Sequence, residues 1–216
     1  MITDLEDYIS AHISAEPSPL RKIDRETNIR YINGRMCSGH IQGRLLKMLT
    51  AMVAPRRVLE LGTFTGYSAL CIAEALDDDA SLHTVEADDE LEDTIRRNLA
   101  SSPHGKKVFL HIGDALEVME KWESEEFDMI LIDADKRQYA DYFRKAVPLL
   151  KPGGIILADN TLWDGHVTEN CRHSSQTRGI MEFNDLVASF PGIEVAMIPI
   201  RDGLTIIRKP KNTQRC

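Results

Sequence analysis

Short apolar runs alternate with stretches of helical spacing through most of this chain. The apolar runs predict strands at Val58 to Leu61, Ser81 to Glu86, Val108 to Ile112, Phe127 to Asp133 and Gly154 to Asp159. Helices are predicted between them, at Tyr67 to Leu76, Asp89 to Ala100, Asp114 to Trp122 and Tyr139 to Leu150. Strands that alternate with helices indicate an α/β fold whose parallel strands are joined by right-handed crossovers. The run from Met129 to Ile132 is apolar at every position, which is typical of a strand buried on both faces.

The two ends of the chain depart from this alternation. Helices are predicted at Asp4 to Ala15, Leu20 to Ile32 and Gly39 to Val53, and Glu16-Pro17-Ser18-Pro19 separates the first two. Near the other end, Ile193 to Pro199 and Leu204 to Arg208 predict two strands, and Arg201-Asp202-Gly203 between them predicts a hairpin turn. We therefore predict one domain over residues 1–216, with a helical preface over 1–54 and a Rossmann-like core over 55–216.

Composition narrows the class of protein. Hydrophobic residues make up 43% of the 216 positions and charged residues 28%, which is typical of a globular chain. The net charge of −8 disfavours a polyanionic partner, and no apolar run is long enough to cross a membrane. The first seven residues lack the pattern of a signal peptide, and the four cysteines have no paired or zinc-type spacing. We expect a cytoplasmic protein that does not associate with a membrane.

The turn after the first predicted strand carries the first functional signal. Gly62 and Gly66 bracket it with three residues between them, which differs from the G-x-G-x-x-G spacing of dinucleotide-binding proteins. Glu60 stands two residues before Gly62, and its carboxylate would repel a pyrophosphate. The same carboxylate suits a ligand with an amino group and a positive charge, and S-adenosylmethionine (SAM) has both. The stretch resembles the first motif of class I SAM-dependent methyltransferases, although an ordinary strand-to-helix turn remains an alternative.

Acidic residues at the next two strand ends are consistent with a bound nucleoside. Glu86 ends the second strand, where a carboxylate can accept hydrogen bonds from both hydroxyls of a ribose. This position serves SAM and NAD equally. Asp114 follows Gly113 at the end of the third strand and could accept from an adenine amino group, or it could cap the next helix.

Oxygen ligands for a divalent cation gather at the fourth and fifth strand ends. Asp133 ends one strand, and Asp159 with Asn160 ends the other. Because neighbouring strand ends lie side by side, the three side chains can converge on Mg²⁺, with Ca²⁺ or Mn²⁺ as alternatives. Lys136 lies three residues beyond Asp133 and can reach the same place. Each acid taken alone could instead be a helix cap.

In chain order, these motifs resemble the cation-dependent O-methyltransferases related to caffeoyl-CoA and catechol O-methyltransferases, in their short bacterial form. The resemblance spans roughly residues 36–209 and rests on Glu60–Ser68, Gly113–Ala115, Asp133–Lys136 and Asp159–Val167. It implies a seven-stranded sheet with an antiparallel last strand, and commonly a homodimer. It implies SAM contacts at Met36, Glu60, Gly62, Thr63, Ser68, Glu86, Asp114, Ala115 and Asp133, and cation ligands at Asp133, Asp159 and Asn160.

The same resemblance implies the chemistry. A divalent cation would stabilise the phenolate of a small phenolic or catechol-type acceptor, and Lys136 would be the general base. Residues 161–178 would be a lid, with Trp163 stacked on the acceptor ring or packed on the body of the protein.

Three alternatives stay open. The same site could methylate a hydroxylated uridine in tRNA, which the net charge disfavours, although Arg35, Arg44, Arg172 and Arg178 could form a basic patch. An NAD-dependent oxidoreductase is disfavoured by the glycine spacing and by Glu60. A non-catalytic SAM-binding module is disfavoured by the metal set and by Lys136.

Overall fold

A computed structural model describes residues 4–211 of the chain. Residues 1–3, part of the segment searched for a signal-peptide pattern, and Cys216, one of the four cysteines, lie outside the described residues. The helices are α1 Asp4–His12, α2 Ser18–Arg30, α3 Gly39–Val53, α4 Tyr67–Ala73, α5 Glu92–Ala100, α6 Ala115–Met119, α7 Tyr139–Leu149 and α8 Ser175–Ser189. The strands are β1 Arg57–Leu61, β2 Ser81–Glu86, β3 Val108–Ile112, β4 Phe127–Ile132, β5 Leu150–Asp159, β6 Glu194–Ile198 and β7 Leu204–Arg208.

The seven strands form one sheet in the order β3-β2-β1-β4-β5-β7-β6. The first five strands are parallel to one another, and β7 runs antiparallel to both β5 and β6. The predicted α/β class, the seven strands and the antiparallel last strand are confirmed. The strand order reverses direction between β1 and β4, and in open α/β sheets ligands bind at the carboxyl ends of the strands beside such a reversal.

Both faces of the sheet are covered because successive side chains of a strand point to opposite sides. On one face Leu59, Ile130 and Ile132 pack against α6, α7 and α8. On the other face Val58 and Leu131 pack against α3 and α4. Every residue from Met129 to Ile132 is at most 2% exposed, which confirms the prediction from this apolar run.

Helix α2 and the segment after it cover one end of the sheet. Leu20 and Ile23 of α2 pack against Tyr67 and Leu70 of α4. A 3₁₀ turn over Gly34–Met36 then leads the chain into α3. The helical preface therefore reaches the carboxyl edge of the sheet, where the candidate site lies.

Some predicted boundaries are wrong. Helix α8 was not predicted, and its first residues fall within the predicted lid of residues 161–178. Strand β5 begins at Leu150, four residues before the predicted Gly154, and extends the chain directly from α7. Three predicted helices end three residues early, α1 at His12, α4 at Ala73 and α6 at Met119, and α2 ends at Arg30, two residues before the predicted Ile32.

Within residues 4–211, no helix is both long enough and apolar enough to cross a membrane.

Candidate active site

A cavity of about 1210 Å³ opens at the carboxyl ends of β1, β2, β4 and β5. With one exception, every residue predicted for the site lines this cavity: Met36, Gly62, Thr63, Ser68, Glu86, Asp114, Ala115, Asp133, Lys136, Asp159, Asn160 and Trp163. The exception is Glu60, which is completely buried beneath the cavity wall. The structure thus brings together residues that are more than 120 positions apart in the sequence.

The glycine turn after β1 is built against Asp133. Gly62 has a φ of +95°, and a Cβ atom added there would lie 2.0 Å from the Asp133 carbonyl oxygen. Gly66 has a φ of +84° and starts α4. Only glycine fits at position 62, because any side chain there would collide with the backbone of Asp133. The turn and the end of β4 are therefore in direct backbone contact.

Glu86 braces the same turn. Its Oε2 accepts hydrogen bonds from the backbone amides of Thr63 at 3.2 Å and Phe64 at 2.7 Å, and its Oε1 accepts from the Asp88 amide at 3.0 Å. Sequence reasoning assigned Glu86 to a ribose and did not foresee these bonds. The carboxylate lines the cavity and also holds the turn in shape.

Glu60 is a buried carboxyl group with one oxygen unused. Its Oε2 accepts from the Thr84 hydroxyl at 2.5 Å, while its Oε1 has no hydrogen-bond partner among the described residues. Burial, with smaller contributions from the charges of Asp133 and Glu86, raises the pKa of Glu60 to about 7. A buried polar atom without a partner is costly unless a ligand satisfies it, so Glu60 is well placed for a cationic group bound beside it.

Asp114 is the N-cap of α6, one of the two roles that the sequence left open. Its Oδ1 accepts from the backbone amides of Leu116 at 2.8 Å and Glu117 at 3.2 Å. The same residue and Ala115 line the cavity, so capping does not remove Asp114 from the site.

Lys136 extends back over the end of β4. Its Nζ lies 2.7 Å from Asp133 Oδ1 and donates to the Tyr139 hydroxyl at 2.8 Å. The Tyr139 hydroxyl in turn donates to the Asp159 carbonyl oxygen at 2.9 Å. The Lys136 side chain is only 11% exposed, and its ammonium contacts the end of β4 directly and the end of β5 through the Tyr139 hydroxyl. This is not the environment of a solvated surface lysine.

Asp133 and Asp159 lie close enough to influence each other. Burial raises the pKa of Asp159, and the charge of Asp133 raises it further. The backbone amide of Asn160 donates to Asp159 Oδ1 at 2.8 Å, and Asn160 has a φ of +59°. Over residues 4–211 no three His, Cys, Asp or Glu side chains group as a metal site. The predicted set is different, since it has two carboxylates and one amide. These are hard oxygen donors, and the two carboxylates repel each other, so a divalent cation fits between them. The ammonium of Lys136 already lies beside Asp133.

Two residues that sequence reasoning missed connect to this set. Gln42 of α3 donates from Nε2 to Asp159 Oδ2 at 2.5 Å, and its Oε1 accepts from Arg201 Nη1 at 3.1 Å. Arg201 belongs to the β6–β7 hairpin, so the two partners of Gln42 are 42 positions apart from each other and more than 110 positions from Gln42. No local pattern marks either residue.

The structure shows one of the two roles predicted for Trp163, packing on the body of the protein, and its stacking on an acceptor ring stays a prediction. It packs against the core face that contains α7 and α8, and it also lines the cavity. Trp163, Asp164 and Gly165 have φ values of +47°, +53° and +81°, so the segment turns sharply there. The remainder of the predicted lid up to α8 is mostly exposed.

The proposed basic patch loses one member. Arg44 is only 6% exposed and forms a two-pronged ion pair with Glu74, at 3.0 and 2.7 Å. Its guanidinium fixes α3 to α4 and is turned away from solvent, so the expectation that Arg44 could contact a nucleic acid is wrong.

Comparison with known proteins agrees with this geometry. A family model described as O-methyltransferase matches residues 9–210. Caffeoyl-CoA O-methyltransferase 1 of Eucalyptus globulus is 31% identical over 206 residues, covering 90% of this chain and 82% of its own. Caffeoyl-CoA O-methyltransferase 1 of Arabidopsis thaliana is 30% identical and covers 95% of this chain and 84% of its own.

Solved structures agree with the fold. The O-methyltransferase TomG of Streptomyces achromogenes, solved in complex with SAM, superposes with a TM-score of 0.88 at 27% identity, covering 96% of each chain. The SAH-bound methyltransferase of Podospora anserina gives a TM-score of 0.87 at 27% identity, covering 96% of this chain and 94% of its own. The match to the family model spans nearly all of the described residues, and the chain belongs to the O-methyltransferase family.

Proposed function

We propose that the protein transfers a methyl group from SAM to a hydroxyl oxygen of a small phenolic or catechol-type acceptor, with the help of a divalent cation. The observation that carries this proposal is the position of Asp133. Its backbone carbonyl abuts Gly62 of the glycine turn, and its carboxylate holds Lys136. A donor held by the turn and an acceptor held beside Lys136 would therefore be neighbours.

The donor side fits SAM by its chemistry. The carboxyl group of Glu60, buried beneath the cavity wall, would supply a negative charge close to the amino group of a methionine moiety. Glu86 and Asp114 line the cavity where a ribose and an adenine would follow. Two of the structural relatives were solved with SAM or its product SAH, which supports the same ligand here.

The acceptor side would be organised by Asp133, Asp159 and Asn160, which would hold the cation. Bound there, the cation would stabilise negative charge on an acceptor oxygen and so favour the phenolate. Lys136 would first release its own proton to solvent, and its neutral amine would then take the phenol proton. The phenolate oxygen would bond to the methyl carbon, and the bond from that carbon to sulfur would break, leaving SAH. Trp163 would give the aromatic ring a flat apolar contact at the cavity wall.

The test is a methyl-transfer assay with catechol, monophenols, caffeoyl-CoA and undermodified tRNA, each with SAM. We expect turnover with catechol or caffeoyl-CoA in Mg²⁺ or Mn²⁺, and loss of turnover in EDTA that either metal restores. Full activity of metal-free protein in EDTA would refute the cation role. Turnover of tRNA alone, sensitive to salt, would replace the phenolic acceptor with RNA. Sedimentation of the same preparation measures whether the homodimer implied by the family resemblance forms.

A further inference from the structure

Gln42 is a buried amide whose two ends are both used. It is 2% exposed, its Nε2 donates to Asp159 Oδ2, and its Oε1 accepts from Arg201. A rotated amide would place oxygen against carboxylate and N–H against guanidinium. The neighbours therefore fix the orientation of the amide, and the amide in turn fixes Asp159 Oδ2.

Arg201 extends the connection to the segment that precedes α3. Its guanidinium donates to the carbonyl oxygens of Arg35 at 3.0 Å, Cys37 at 3.0 Å and Ser38. Residues 35–38 line the same cavity as the glycine turn, so this guanidinium anchors that part of the cavity wall. We call the set of residues 35–38, Arg201, Gln42 and Asp159 the Gln42 relay.

Asp159 depends on this connection for its position. Asp159 is 4% exposed, and the Oδ1 atom of its carboxylate accepts from the backbone amide of Asn160. Gln42 is the side chain that donates to Oδ2. Without that donor, the buried carboxylate keeps only the bond from the backbone amide of Asn160, and its orientation is less well fixed.

We propose that Gln42 is a positioning residue: through the Gln42 relay it fixes the Asp159 carboxylate in the acceptor site and couples the position of that carboxylate to the position of residues 35–38 in the cofactor part of the cavity wall. This inference rests on the proposed function, since it assumes a cation at Asp159 and SAM or SAH beside residues 35–38. Coupling between two sites is reciprocal, so SAH should tighten cation binding and the cation should tighten SAH binding by the same factor.

The experiment measures binding, which separates positioning from turnover. Mn²⁺ affinity is measured by electron paramagnetic resonance with and without SAH, and SAH affinity by calorimetry, for wild type, Gln42→Met and Arg201→Lys. Methionine keeps the length of glutamine and removes both hydrogen-bonding ends. Thr50→Val is the matched control, because Thr50 is also buried on α3 but bonds only within its own helix and to Met129.

We expect SAH to tighten Mn²⁺ binding to wild type by at least about 5-fold, within the usual range of coupling between sites. Gln42→Met should weaken Mn²⁺ binding by about 10–100-fold, as expected when a group that orients a metal ligand is lost, and should abolish the SAH effect. Its affinity for SAH alone should stay within about 2-fold of wild type, because Arg201 still holds residues 35–38. Arg201→Lys should weaken both ligands, and Thr50→Val neither.

Three results would contradict the inference. Wild-type Mn²⁺ affinity and SAH coupling in Gln42→Met would overturn the positioning role while leaving the proposed function intact. Failure of the wild type to bind Mn²⁺ at all would refute the cation in the proposed function, and this inference with it. Equal losses in Gln42→Met and Thr50→Val would show a packing defect of α3 and would also overturn the role.

Discussion

Replacing Lys136 with methionine separates a catalytic role from a structural one. Methionine keeps an unbranched stem over the Tyr139 ring, where the Lys136 Nζ now lies 4.9 Å from the ring centroid, and removes only the amine. Two losses follow from the structure. The amine no longer pairs with Asp133, and no group remains beside the acceptor to take its proton.

The two losses differ in size. Lys136 and Asp133 are 11% and 21% exposed, so solvent screens their hydrogen bond little, and its loss should lower the free energy of unfolding by about 1.5–3 kcal/mol. Loss of a general base should lower kcat by roughly 10²–10⁴-fold. That factor corresponds to about 3–5 kcal/mol of activation free energy, which exceeds the structural effect.

The assay is a series of catechols with falling phenol pKa. The deficit of Lys136→Met should shrink for acidic acceptors such as a nitrocatechol, because these arrive already ionised. Lys136→Arg should not restore activity, since a guanidinium keeps its proton. Lys151→Met is the control: Lys151 pairs with Asp128 at 2.9 Å, also between β4 and β5 but at the opposite end of the sheet. An equal deficit for every acceptor, or none, would show that Lys136 is not the base.

Three further predictions concern the cofactor side of the cavity. Burial raises the pKa of Glu60 to about 7, so below that pH a cationic ligand must displace a proton. SAH affinity should therefore rise with pH up to about 7 and then level off, and Glu60→Gln should flatten the profile measured by calorimetry. Gly62→Ala should weaken both SAH binding and Mn²⁺ binding, because the new Cβ displaces the Asp133 backbone; a loss confined to SAH would contradict the shared contact. Glu86→Ala should lower SAH affinity by about 10-fold or more and the melting temperature as well, because two amides of the turn lose their acceptor; an unchanged melting temperature would exclude the bracing role.

Much of the fold could be predicted because its signals are local. The apolar run from Met129 to Ile132 predicts a strand buried on both faces from four adjacent residues, and Asp202-Gly203 predicts a hairpin from two. Helix α8 has a comparable signal in Ile180, Phe183 and Val187, which recur at helical spacing and are buried. The predicted lid over residues 161–178 includes the first residues of this helix, and the segment was therefore interpreted as a loop.

The candidate site was predictable only where strand ends supply it. Parallel strands bring their carboxyl ends to one edge, so Asp133 and Asp159 could be placed together without knowing any other contact. The Gln42 relay obeys no such rule. Gln42 meets Asp159 across 117 positions and Arg201 across 159, and only the packed arrangement of α3 beside the last hairpin makes these pairs.

The grip of Arg201 on residues 35–38 also sets an order of events during synthesis. The ribosome must add 163 residues between Ser38 and Arg201, which takes roughly 10–30 s at common elongation rates. For the part of that interval after Gly66, the nascent chain already carries the glycine turn, but Arg201, which holds one wall of the cavity, has not been made. The β6–β7 hairpin, which is synthesised late, thus fixes a cavity wall that is synthesised early. Newly made chains should therefore gain the ability to retain SAM only when that hairpin has left the ribosome.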